Sequence, residues 1–567
     1  MITVLNVSAQ LLRSRQHMLE PSGYSPTGGS GMAELKSMES PGNASQGAML
    51  HALLQANCYP HEAAQVELIE THISTILLAG SYAYKIKKPV NLGFLDFSTL
   101  ELRRGYCFEE LRLNRRLAPS LYLEVIAIIG DTDNPRVAPH ASPGAIEYAV
   151  KMRRFDQSAL LDHMLANGEL TSRHLDALAE TTAAFHLRIA KTSDLGLGSD
   201  YGKPESIAQP MRQNFEQIRP LLDTVAEISA LDRLEEWSVA AHSWLAPLMA
   251  ERNRNGFVRE CHGDLHLGNI TWIDGDIQIF DCIEFSPLLR WIDVASEIAF
   301  TAMDLFSRNR PAWAWRFLNA YLEITGDYEA LRLLNYYMVY RAMVRAKVAR
   351  IRATQSEGEV RRTALADYLE HIQLASAFTE TRRLALLITR GVSGSGKTTV
   401  SQPVLEQIGA FRLRSDVVRK GMHGLKSTDR SESALASGLY ADRLTRATYD
   451  ELLRLARVVL EAGFSAIVDA TFLLHSQRAA FKFLAAELNL RFLILACQAK
   501  FPELHRRVGY RLAEAADASE ATHAVLDWQL RHDESLDACE TAHAISIDTE
   551  NFSPADVISE IAEKLSQ

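Results

Sequence analysis

Cysteine is scarce in this sequence and follows no pattern. Six cysteines occur among 567 residues, and no two of them form a C-x-x-C pair. Zinc ribbons and redox dithiols depend on closely spaced cysteine pairs, so the sequence argues against both classes. We interpret the thiols as reduced, which predicts a cytoplasmic protein.

Long apolar runs and an excess of positive charge are also missing. A membrane-spanning helix needs about 18 or more consecutive apolar residues, whereas the longest candidates here are short stretches such as 384–388. The 60 Lys and Arg residues are outnumbered by 70 Asp and Glu residues. A net acidic chain repels the phosphate backbone of nucleic acids. We therefore expect no membrane span, and nucleic acid is disfavoured as a partner.

The composition is otherwise that of a globular protein, with 47% hydrophobic and 23% charged residues. Residues 20–46 are the exception, because they are rich in Gly, Ser and Pro and poor in large apolar side chains. Such a segment cannot bury enough apolar surface to offset its ordering entropy. The sequence predicts a disordered extension over residues 1–46 and two folded domains, over residues 47–380 and 381–567.

Hydrophobic periodicity changes between these two domains. Strand-like residues surround a turn at Ala79–Ser81 within 66–89, a helical pattern covers 100–117, a further strand covers 145–152, and helices predominate after it. From residue 384 onward, apolar strands at 384–389, 465–470, 491–497 and 544–547 alternate with helical segments. These patterns predict a small β-rich lobe and a larger helical lobe, followed by an α/β domain with a mainly parallel sheet.

The segment His262-Gly-Asp264-Leu-His-Leu-Gly-Asn269 has the Asp and Asn spacing of a kinase catalytic loop. The following Asp274-Gly275 between alternating apolar residues predicts a two-residue hairpin turn. Counting outward from this turn places Asn269 opposite Phe280, beside Asp281. Two oxygen donors then meet at the open end of the hairpin, where Mg²⁺ and ATP phosphates need such ligands.

This segment resembles the catalytic loop of the aminoglycoside phosphotransferase family, which includes choline-kinase-like and fructosamine-kinase-like enzymes. The resemblance extends over residues 50–375 and implies a bilobal α+β fold of the protein-kinase type. It also implies that Asp264 is the general base and that Asn269 and Asp281 are magnesium ligands. By the same resemblance, His262 supports the loop and Asp293 steadies it.

A kinase of this type also needs a strand lysine for the nucleotide phosphates and a helix glutamate that orients the lysine. Lys85 and Lys87 lie on one face of a predicted strand; the family resemblance favours Lys85, and Lys87 remains the substitute. Glu110 fits the orienting glutamate, with Glu109 as its neighbouring alternative. The segment that precedes the lysines, residues 70–74, contains no glycine-rich phosphate loop.

A second nucleotide motif follows the apolar strand at 384–389 and precedes a helical stretch, which is the setting of a P-loop. Its glycines let backbone N–H groups turn towards phosphate oxygens, Lys397 reaches the outer phosphates, and the Thr398 hydroxyl meets Mg²⁺. We predict that ATP is bound by Gly391, Val392, Ser393, Gly394, Ser395, Gly396, Lys397, Thr398 and Thr399. Asp469 ends a later apolar strand, as the second magnesium-site acid of P-loop enzymes does.

The chain from 384 to 567 resembles small P-loop kinases such as gluconate kinases, polynucleotide kinases and zeta toxins. This resemblance, carried by Ser415-Asp416-Val-Val-Arg419, implies that Asp416 binds or deprotonates an acceptor hydroxyl and that Arg419 binds an anionic substrate group. The run with Arg506, Arg507 and Arg511, followed by 517–521, resembles the mobile lid of these kinases. Among its arginines we favour Arg507 and Arg511 for ATP binding.

Together the motifs resemble predicted bacterial bifunctional proteins that join an aminoglycoside-phosphotransferase-like domain to an AAA-type ATP-binding domain. The resemblance implies an ATP- and Mg²⁺-dependent enzyme that phosphorylates a hydroxyl group of a small molecule at each of two sites. Two alternatives remain. The first is an ATP-binding regulatory protein with one inactive kinase-like domain, and the second is a polynucleotide-end kinase in the C-terminal domain.

Overall fold

The computed structural model describes residues 41–92, 95–196, 200–425, 439–514 and 521–566. Within these ranges, every helix is too short or too polar to traverse a lipid bilayer. The described chain forms the two predicted domains, a bilobal kinase-like domain and a P-loop domain.

The first lobe is built on a six-stranded antiparallel sheet with the strand order β1-β2-β3-β6-β4-β5. One long helix packs on this sheet, and a shorter helix precedes it. The elements in chain order are α1 (Pro41–Ala52), β1 (Val66–Glu70), β2 (Ser74–Ala79), β3 (Tyr82–Lys87), α2 (Leu100–Asn114), β4 (Tyr122–Ile129), β5 (Arg136–Pro139) and β6 (Ala145–Arg153).

The second lobe is mainly helical, with two short two-stranded sheets that carry the loop around Asp264. Its first elements are α3 (Leu161–Ala166), α4 (Ser172–Arg188), α5 (Pro204–Ile218), α6 (Val225–Arg254), β7 (Val258–Glu260), β8 (Ile270–Ile273) and β9 (Asp276–Ile279). They are followed by α7 (Pro287–Arg290), β10 (Trp291–Asp293), α8 (Val294–Ser307), α9 (Pro311–Thr325), α10 (Leu331–Thr354) and α11 (Gly358–Thr379).

The C-terminal domain has a five-stranded parallel sheet with the order β12-β13-β11-β14-β15. Its strands are β11 (Ala385–Arg390), β12 (Ala410–Arg414), β13 (Ser465–Asp469), β14 (Arg491–Gln498) and β15 (Ala544–Asp548). Its helices are α12 (Lys397–Ile408), α13 (Ser415–Met422), α14 (Leu439–Glu461), α15 (His475–Glu487), α16 (Phe501–Glu514), α17 (His523–Arg531), α18 (Ala538–Thr541) and α19 (Pro554–Ser566).

The sequence placed the end of the disordered extension at residue 46, and the structure shows that the ordered chain starts earlier. Helix α1 begins at Pro41, so residues 41–46 belong to a helix. The reason is a polar anchor that composition does not reveal: the buried Gln46 amide donates hydrogen bonds to the Lys87 carbonyl and to a Glu147 carboxylate oxygen, both at 2.9 Å. Residues 1–40 lie outside the described residues.

The two domains share one apolar core, which the sequence did not predict. Helix α9 of the kinase-like domain packs on α12 and β12, and the Trp315 ring lies 5.7 Å from Phe411 and 6.1 Å from Phe464 between ring centroids. Gly409 permits this approach, because it has φ +70° and a Cβ there would lie 2.8 Å from the Trp315 ring. The helix therefore serves as a packing element of both domains.

Polar contacts fix the same interface. The Asn319 side-chain amide donates to the Ala410 carbonyl at 3.0 Å, and its oxygen accepts from the Arg412 backbone N–H at 2.7 Å. The guanidinium of Arg412 pairs with Glu323 at 2.8 Å. Buried polar groups are costly unless they are paired, so these bonds fix the angle and register at which the two domains meet.

Lys347 on α10 is a buried lysine whose charge disfavours folding. Its burial lowers its pKa from 10.5 to about 8. Below pH 8 both the folded and unfolded states are protonated, and the folded state bears the full cost of the buried charge. Between pH 8 and 10.5 the folded state loses the proton first, so stability rises with pH.

We expect Lys347→Met to raise the free energy of unfolding at pH 7 by on the order of 3 kcal/mol, the equivalent of this pKa shift. The gain should shrink as the pH approaches 10. Urea unfolding at pH 7 and 9.5 measures both effects, with the exposed Lys500→Met as the control. A gain of the same size at both pH values would contradict the assigned cause.

Candidate active sites

The N-terminal site is organised around Lys85 on β3. Its Nζ atom lies 2.8 Å from Glu110 Oε1 and 2.5 Å from Asp281 Oδ1. The three residues come from a strand, from helix α2 and from the segment after β9, so the contact joins the two lobes. The structure thus brings the predicted strand lysine, helix glutamate and loop aspartate into direct contact.

Lys87 projects from the same face of β3 but ends in a fully buried position. It contacts Glu110 Oε2 at 2.7 Å and the carboxylate of Glu284. Glu110 therefore bridges both lysines, and their charges, acting against the effect of burial, lower its pKa to about 2. Glu109 points elsewhere and pairs with Arg112 and Arg290. Both candidate lysines thus contact Glu110 rather than Glu109, and Lys85 is the one that also contacts Asp281.

Asp264 lies in the segment between β7 and β8 of the second lobe. Asp264 is only 4% exposed, and Asn269 donates its side-chain amide to the Asp264 carboxylate at 3.2 Å and to the Asp264 carbonyl at 3.0 Å. Burial alone would raise the pKa of Asp264, but the neighbouring His266 and His262 act in the opposite direction, and this pKa lies well below its usual value. The carboxylate is therefore ionised and able to accept a proton.

The hairpin prediction is confirmed residue by residue. Ile273 pairs with Asp276, Ile270 pairs with Ile279, and the Phe280 N–H donates to the Asn269 carbonyl at 3.0 Å. Asp281 follows with the left-handed value φ +64°. This backbone turn ends the strand pairing and lets the Asp281 carboxylate reach Lys85.

The residue that holds the Asp264 loop is Glu297, not Asp293 as the sequence suggested. The Glu297 carboxylate, at the start of α8 and fully buried, accepts from the N–H groups of Gly263 at 2.6 Å and His262 at 3.1 Å. Asp293 instead pairs with the Arg252 guanidinium at 2.8 Å and caps α8. His262 supports the loop as expected, by a ring contact of 2.9 Å to the Phe280 carbonyl.

Further residues that the sequence did not indicate hold the same loop. The Arg341 guanidinium donates to the Gly263 carbonyl at 3.0 Å, and Asp304 accepts from the Leu267 N–H at 2.9 Å. In the neighbouring segment after β9, the Tyr122 hydroxyl accepts from the Asp281 N–H at 3.3 Å. These contacts come from positions distant in sequence, so no local pattern could have predicted them.

The turn between β1 and β2 has no glycine, as the sequence indicated. It is closed by Thr71, whose N–H and hydroxyl both donate to the Ser74 carbonyl, at 2.8 and 2.6 Å. A short turn of this kind presents few backbone N–H groups to a phosphate. Among the residues of this sheet, Lys85 is the better candidate for contacts with a phosphate.

The C-terminal site is a P-loop between β11 and α12. Gly391 has φ +146°, and a Cβ there would lie 2.5 Å from the Cys497 carbonyl, so only glycine fits. Lys397 begins α12 and donates to the carbonyls of Gly391 at 2.9 Å and Val392 at 3.0 Å. Its Nζ atom thus lies across the loop. Burial lowers the pKa of this lysine.

Two oxygen groups meet beside the P-loop lysine. The Thr398 hydroxyl donates to Asp469 Oδ2 at 2.9 Å, at the point where α12 begins and β13 ends. Ser401 also donates to this oxygen at 3.3 Å. The two residues predicted as magnesium ligands thus contact each other directly. Thr399 follows on the exposed side of the helix.

The candidate acceptor residues Asp416 and Arg419 lie on the first turns of α13, and their side chains contact each other at 3.3 Å. Helix α13 directly follows β12, whose last residue Arg414 pairs with Asp469. The charge of Asp416 also raises the pKa of Lys397 against the effect of burial. Both observations place Asp416 at the same edge of the sheet as the P-loop.

The predicted lid arginines lie on α16 beside the P-loop. Arg507 donates to the Gly394 carbonyl at 3.2 Å and to the Thr549 hydroxyl at 2.8 Å. The charge of Arg511 contributes to the lowered pKa of Lys397, which places it within electrostatic range. Arg506 pairs with Glu503 on the exposed side of the helix. Residues 517–520 of the predicted lid lie outside the described residues.

A further contact of the P-loop, which sequence analysis missed, comes from helix α17. The buried Gln529 on α17 accepts from the Ser393 N–H at 2.7 Å. Its side-chain oxygen thus sits where a P-loop amide can otherwise meet a phosphate oxygen. The glutamine follows no recognised motif, so only the three-dimensional structure reveals it.

Comparison with known proteins supports this division of the chain. The model of the phosphotransferase enzyme family matches residues 102–334, and an AAA domain model matches residues 386–536. Three proteins named as uncharacterized, two of Mycobacterium tuberculosis strains and one of Mycobacterium bovis, are each 32% identical over 472 residues, which cover 82% of this chain and 91% of theirs.

Solved structures resemble one domain at a time. A choline kinase from Cryptosporidium parvum has 12% identity and a TM-score of 0.35, over 55% of this chain and 89% of its own. A gluconokinase from Sinorhizobium meliloti has 18% identity and a TM-score of 0.22, over 33% of this chain and 94% of its own. The chain belongs to the same family as the mycobacterial proteins, and it is a kinase-type phosphotransferase that joins a domain of the phosphotransferase enzyme family to a P-loop domain of the AAA type.

Proposed function

We propose that this protein is an ATP- and Mg²⁺-dependent phosphotransferase with two nucleotide sites, each of which phosphorylates a hydroxyl group of a small molecule. The observation that carries the proposal is that each domain brings a lysine and metal-type oxygen donors together. Lys85 meets Asp281 beside Asn269 in one domain, and Lys397 lies beside Thr398 and Asp469 in the other.

The donor set of the N-terminal site fits magnesium. The Asn269 amide nitrogen is committed to Asp264, which turns the amide oxygen away from that carboxylate, and Asp281 keeps Oδ2 beyond its contact with Lys85. Amide and carboxylate oxygens are ligands that Mg²⁺ prefers. When bound, the ion offsets the negative charge of the phosphates.

The residues of this site then have separate tasks. Lys85, oriented by Glu110, holds the nucleotide phosphates, and Asp264 accepts the proton of the acceptor hydroxyl. The acceptor oxygen forms a bond to the γ-phosphorus while the bond from that phosphorus to the bridging oxygen breaks, leaving ADP and a phosphate ester. The Glu297 contacts keep the Asp264 loop in the position that this transfer requires.

In the C-terminal site, Thr398 and Asp469 are the oxygen donors for the metal, and Lys397 spans the phosphate loop. Arg507 and Arg511 are placed to neutralise phosphate charge, and Asp416 is placed to bind or deprotonate an acceptor hydroxyl. Arg419, paired with Asp416, is then the candidate for an anionic group of the acceptor.

A regulatory function is the second candidate, and the glycine-free turn between β1 and β2 favours it for the N-terminal domain. In that case the domain binds ATP without transferring its phosphate. Polynucleotide-end phosphorylation by the C-terminal domain is a weaker candidate, because 70 acidic residues oppose 60 basic ones in the whole chain.

Transfer from γ-labelled ATP into a metabolite extract tests the proposal. We expect two classes of labelled phosphate ester, one from each site. Release of labelled phosphate without any labelled ester would contradict two-site transfer and support the regulatory function. A gel-shift measurement at physiological salt with single-stranded and duplex oligonucleotides separates the end-kinase alternative, for which retention of the oligonucleotide is required.

A further inference from the structure

A cavity of about 210 Å³ opens between three helices of the kinase-like domain. Helix α8 contributes Asp304 and Ser307, which precede the lining residue Arg308. Helix α10 contributes one continuous face with the spacing i, i+3, i+4 and i+7, formed by Arg345, Val348, Ala349 and Arg352. Helix α11 contributes Asp367, Glu370 and His371.

Three cationic or imidazole groups of this cavity have buried nitrogen atoms without a hydrogen-bond partner in the described parts of the chain. They are Nη1 of Arg345, Nε of Arg352 and Nε2 of His371. His371 is only 7% exposed, and its other ring nitrogen contacts the Asp367 carbonyl at 2.6 Å. Since a carbonyl only accepts and burial lowers the pKa of His371, the ring is neutral with its proton on Nδ1, and Nε2 is an acceptor. Buried polar atoms are normally paired, so the unpaired nitrogens of the two guanidinium groups point to a ligand that supplies acceptor oxygens.

The acidic residues of the cavity do not satisfy these nitrogens. Asp304 is committed to Arg308 at 3.2 Å and to the Leu267 N–H at 2.9 Å. Asp367 reaches Arg352 only through Nη1, at 3.9 Å. Glu370 lies on the exposed side of α11, at the rim. Arg345 stays charged even where burial lowers its pKa, because a guanidinium does not lose its proton in proteins.

The cavity lies beside the Asp264 loop. Arg341, one helical turn before Arg345 on α10, donates to the carbonyl of Gly263, the residue before Asp264. Asp304 lines the cavity and also binds the Leu267 N–H of the same loop. One turn of helix advances about 5.4 Å. The Asp264 charge also acts on Arg345, so a small ligand that occupies the cavity lies close to the loop that carries Asp264.

We infer that this cavity binds an anionic group, a phosphate or a carboxylate, of the hydroxyl compound that the N-terminal site phosphorylates. This inference rests on the proposed function and adds the class of acceptor. Arg345 contributes the main charge, and Arg352 donates a hydrogen bond to the anion through Nε. Neutral and purely cationic alcohols leave the two guanidinium nitrogens without an anionic partner, so the site discriminates against them.

Fractionation of the metabolite extract tests the acceptor class. The full-length protein with Lys397→Ala is used throughout, so that the P-loop site contributes little product. An extract is separated on an anion-exchange resin at neutral pH, and each fraction is supplied with γ-labelled ATP. We expect the acceptor in the retained fraction. Pretreatment of the extract with alkaline phosphatase destroys a phosphorylated acceptor and spares a carboxylate. An acceptor in the flow-through would overturn the inference.

Substitution of Arg345 tests the site itself. We expect Arg345→Met to lower formation of this product and the affinity for inorganic phosphate at least tenfold each, and Arg345→Lys to retain part of both. Arg332→Met is the matched control, because Arg332 lies on the same helix but is exposed. The melting temperature of Arg345→Met should not fall, because the variant removes an unpaired charge. Unchanged phosphate binding in Arg345→Met, or an equal loss in Arg332→Met, would overturn the inference.

The Asp264→Ala variant distinguishes failure of the proposed function from failure of the anion site. If Asp264→Ala leaves every labelled product in place, the N-terminal site does not transfer phosphate, whatever the cavity binds. If Asp264→Ala removes a product that Arg345→Met leaves at the parental level, the transfer stands and the anion site is wrong.

Discussion

Replacement of Lys397 by alanine is expected to lower kcat/KM of the C-terminal site by about 100- to 1,000-fold, the usual effect of losing one preorganised charge contact with the transferred phosphoryl group. Lys397 is the cation that lies across the P-loop, with its Nζ atom bonded to the carbonyls of Gly391 and Val392. Alanine cannot reach the phosphates from that position. The measurement is the rate of formation of the labelled esters that persist in Asp264→Ala.

The loss should not come from unfolding. Burial already lowers the pKa of Lys397, so its charge does not stabilise the folded domain. The melting temperature should therefore stay close to that of the parent. Lys500→Ala, at an exposed position of the same domain, is the control and should retain full activity. Wild-type rates in Lys397→Ala would exclude the P-loop from catalysis.

Replacement of Asp264 is expected to lower kcat of the N-terminal site by about 100- to 10,000-fold, the range that a general base contributes. Asp264 is ionised and held by Asn269, and no other carboxylate of the His262–Asn269 loop is available to accept the acceptor proton. Asp264→Asn keeps the shape of the side chain and removes its basicity, so it tests the chemistry with little change in packing. Asp264→Ala removes both.

Single-turnover formation of the labelled ester by both variants measures the effect, and ATP binding should change little because Lys85, Glu110 and Asp281 stay in place. Asp276→Ala, in the exposed β8–β9 hairpin beyond the loop, is the control. An Asp264→Asn variant that forms its ester at the parental rate would show that another group takes the proton.

The parts of the site that could be predicted from sequence depend on local rules. The Asp274-Gly275 turn fixes the hairpin register, and this register alone placed Asn269 beside Asp281. The P-loop was equally predictable, because the glycine spacing and the flanking strand and helix form one continuous segment. In both cases the residues concerned lie within about 20 positions of one another, so that chain geometry decides their distance.

Where several residues share one face of a strand, the sequence reduces the number of candidate site residues but does not identify a single one. Lys85 and Lys87 have the same strand phase, and in the structure both bind Glu110. Their difference lies in the partners from other elements, Asp281 for one and Glu284 for the other. Such partners are 196 and 197 residues away along the chain, and periodicity carries no information about them.

The incorrect predictions also concern residues and strands whose positions depend on contacts distant in sequence. Asp293 was assigned to the Asp264 loop, whereas Glu297, one helical turn later, makes that contact. Strands β4, β5 and β12 were not predicted, and β12 forms the edge at which the two domains meet. Tertiary contacts decide such features, and they override local preference.

Because both domains pack on α9, they are held together by a buried interface as well as by the covalent linker. Proteolytic cleavage between Thr379 and Ala385 would leave Trp315 on one fragment and Phe411 and Phe464 on the other, each with an aromatic surface open to water. A chain that lacks either domain would carry this aromatic surface exposed, so we expect each domain to be less soluble alone than in the intact protein.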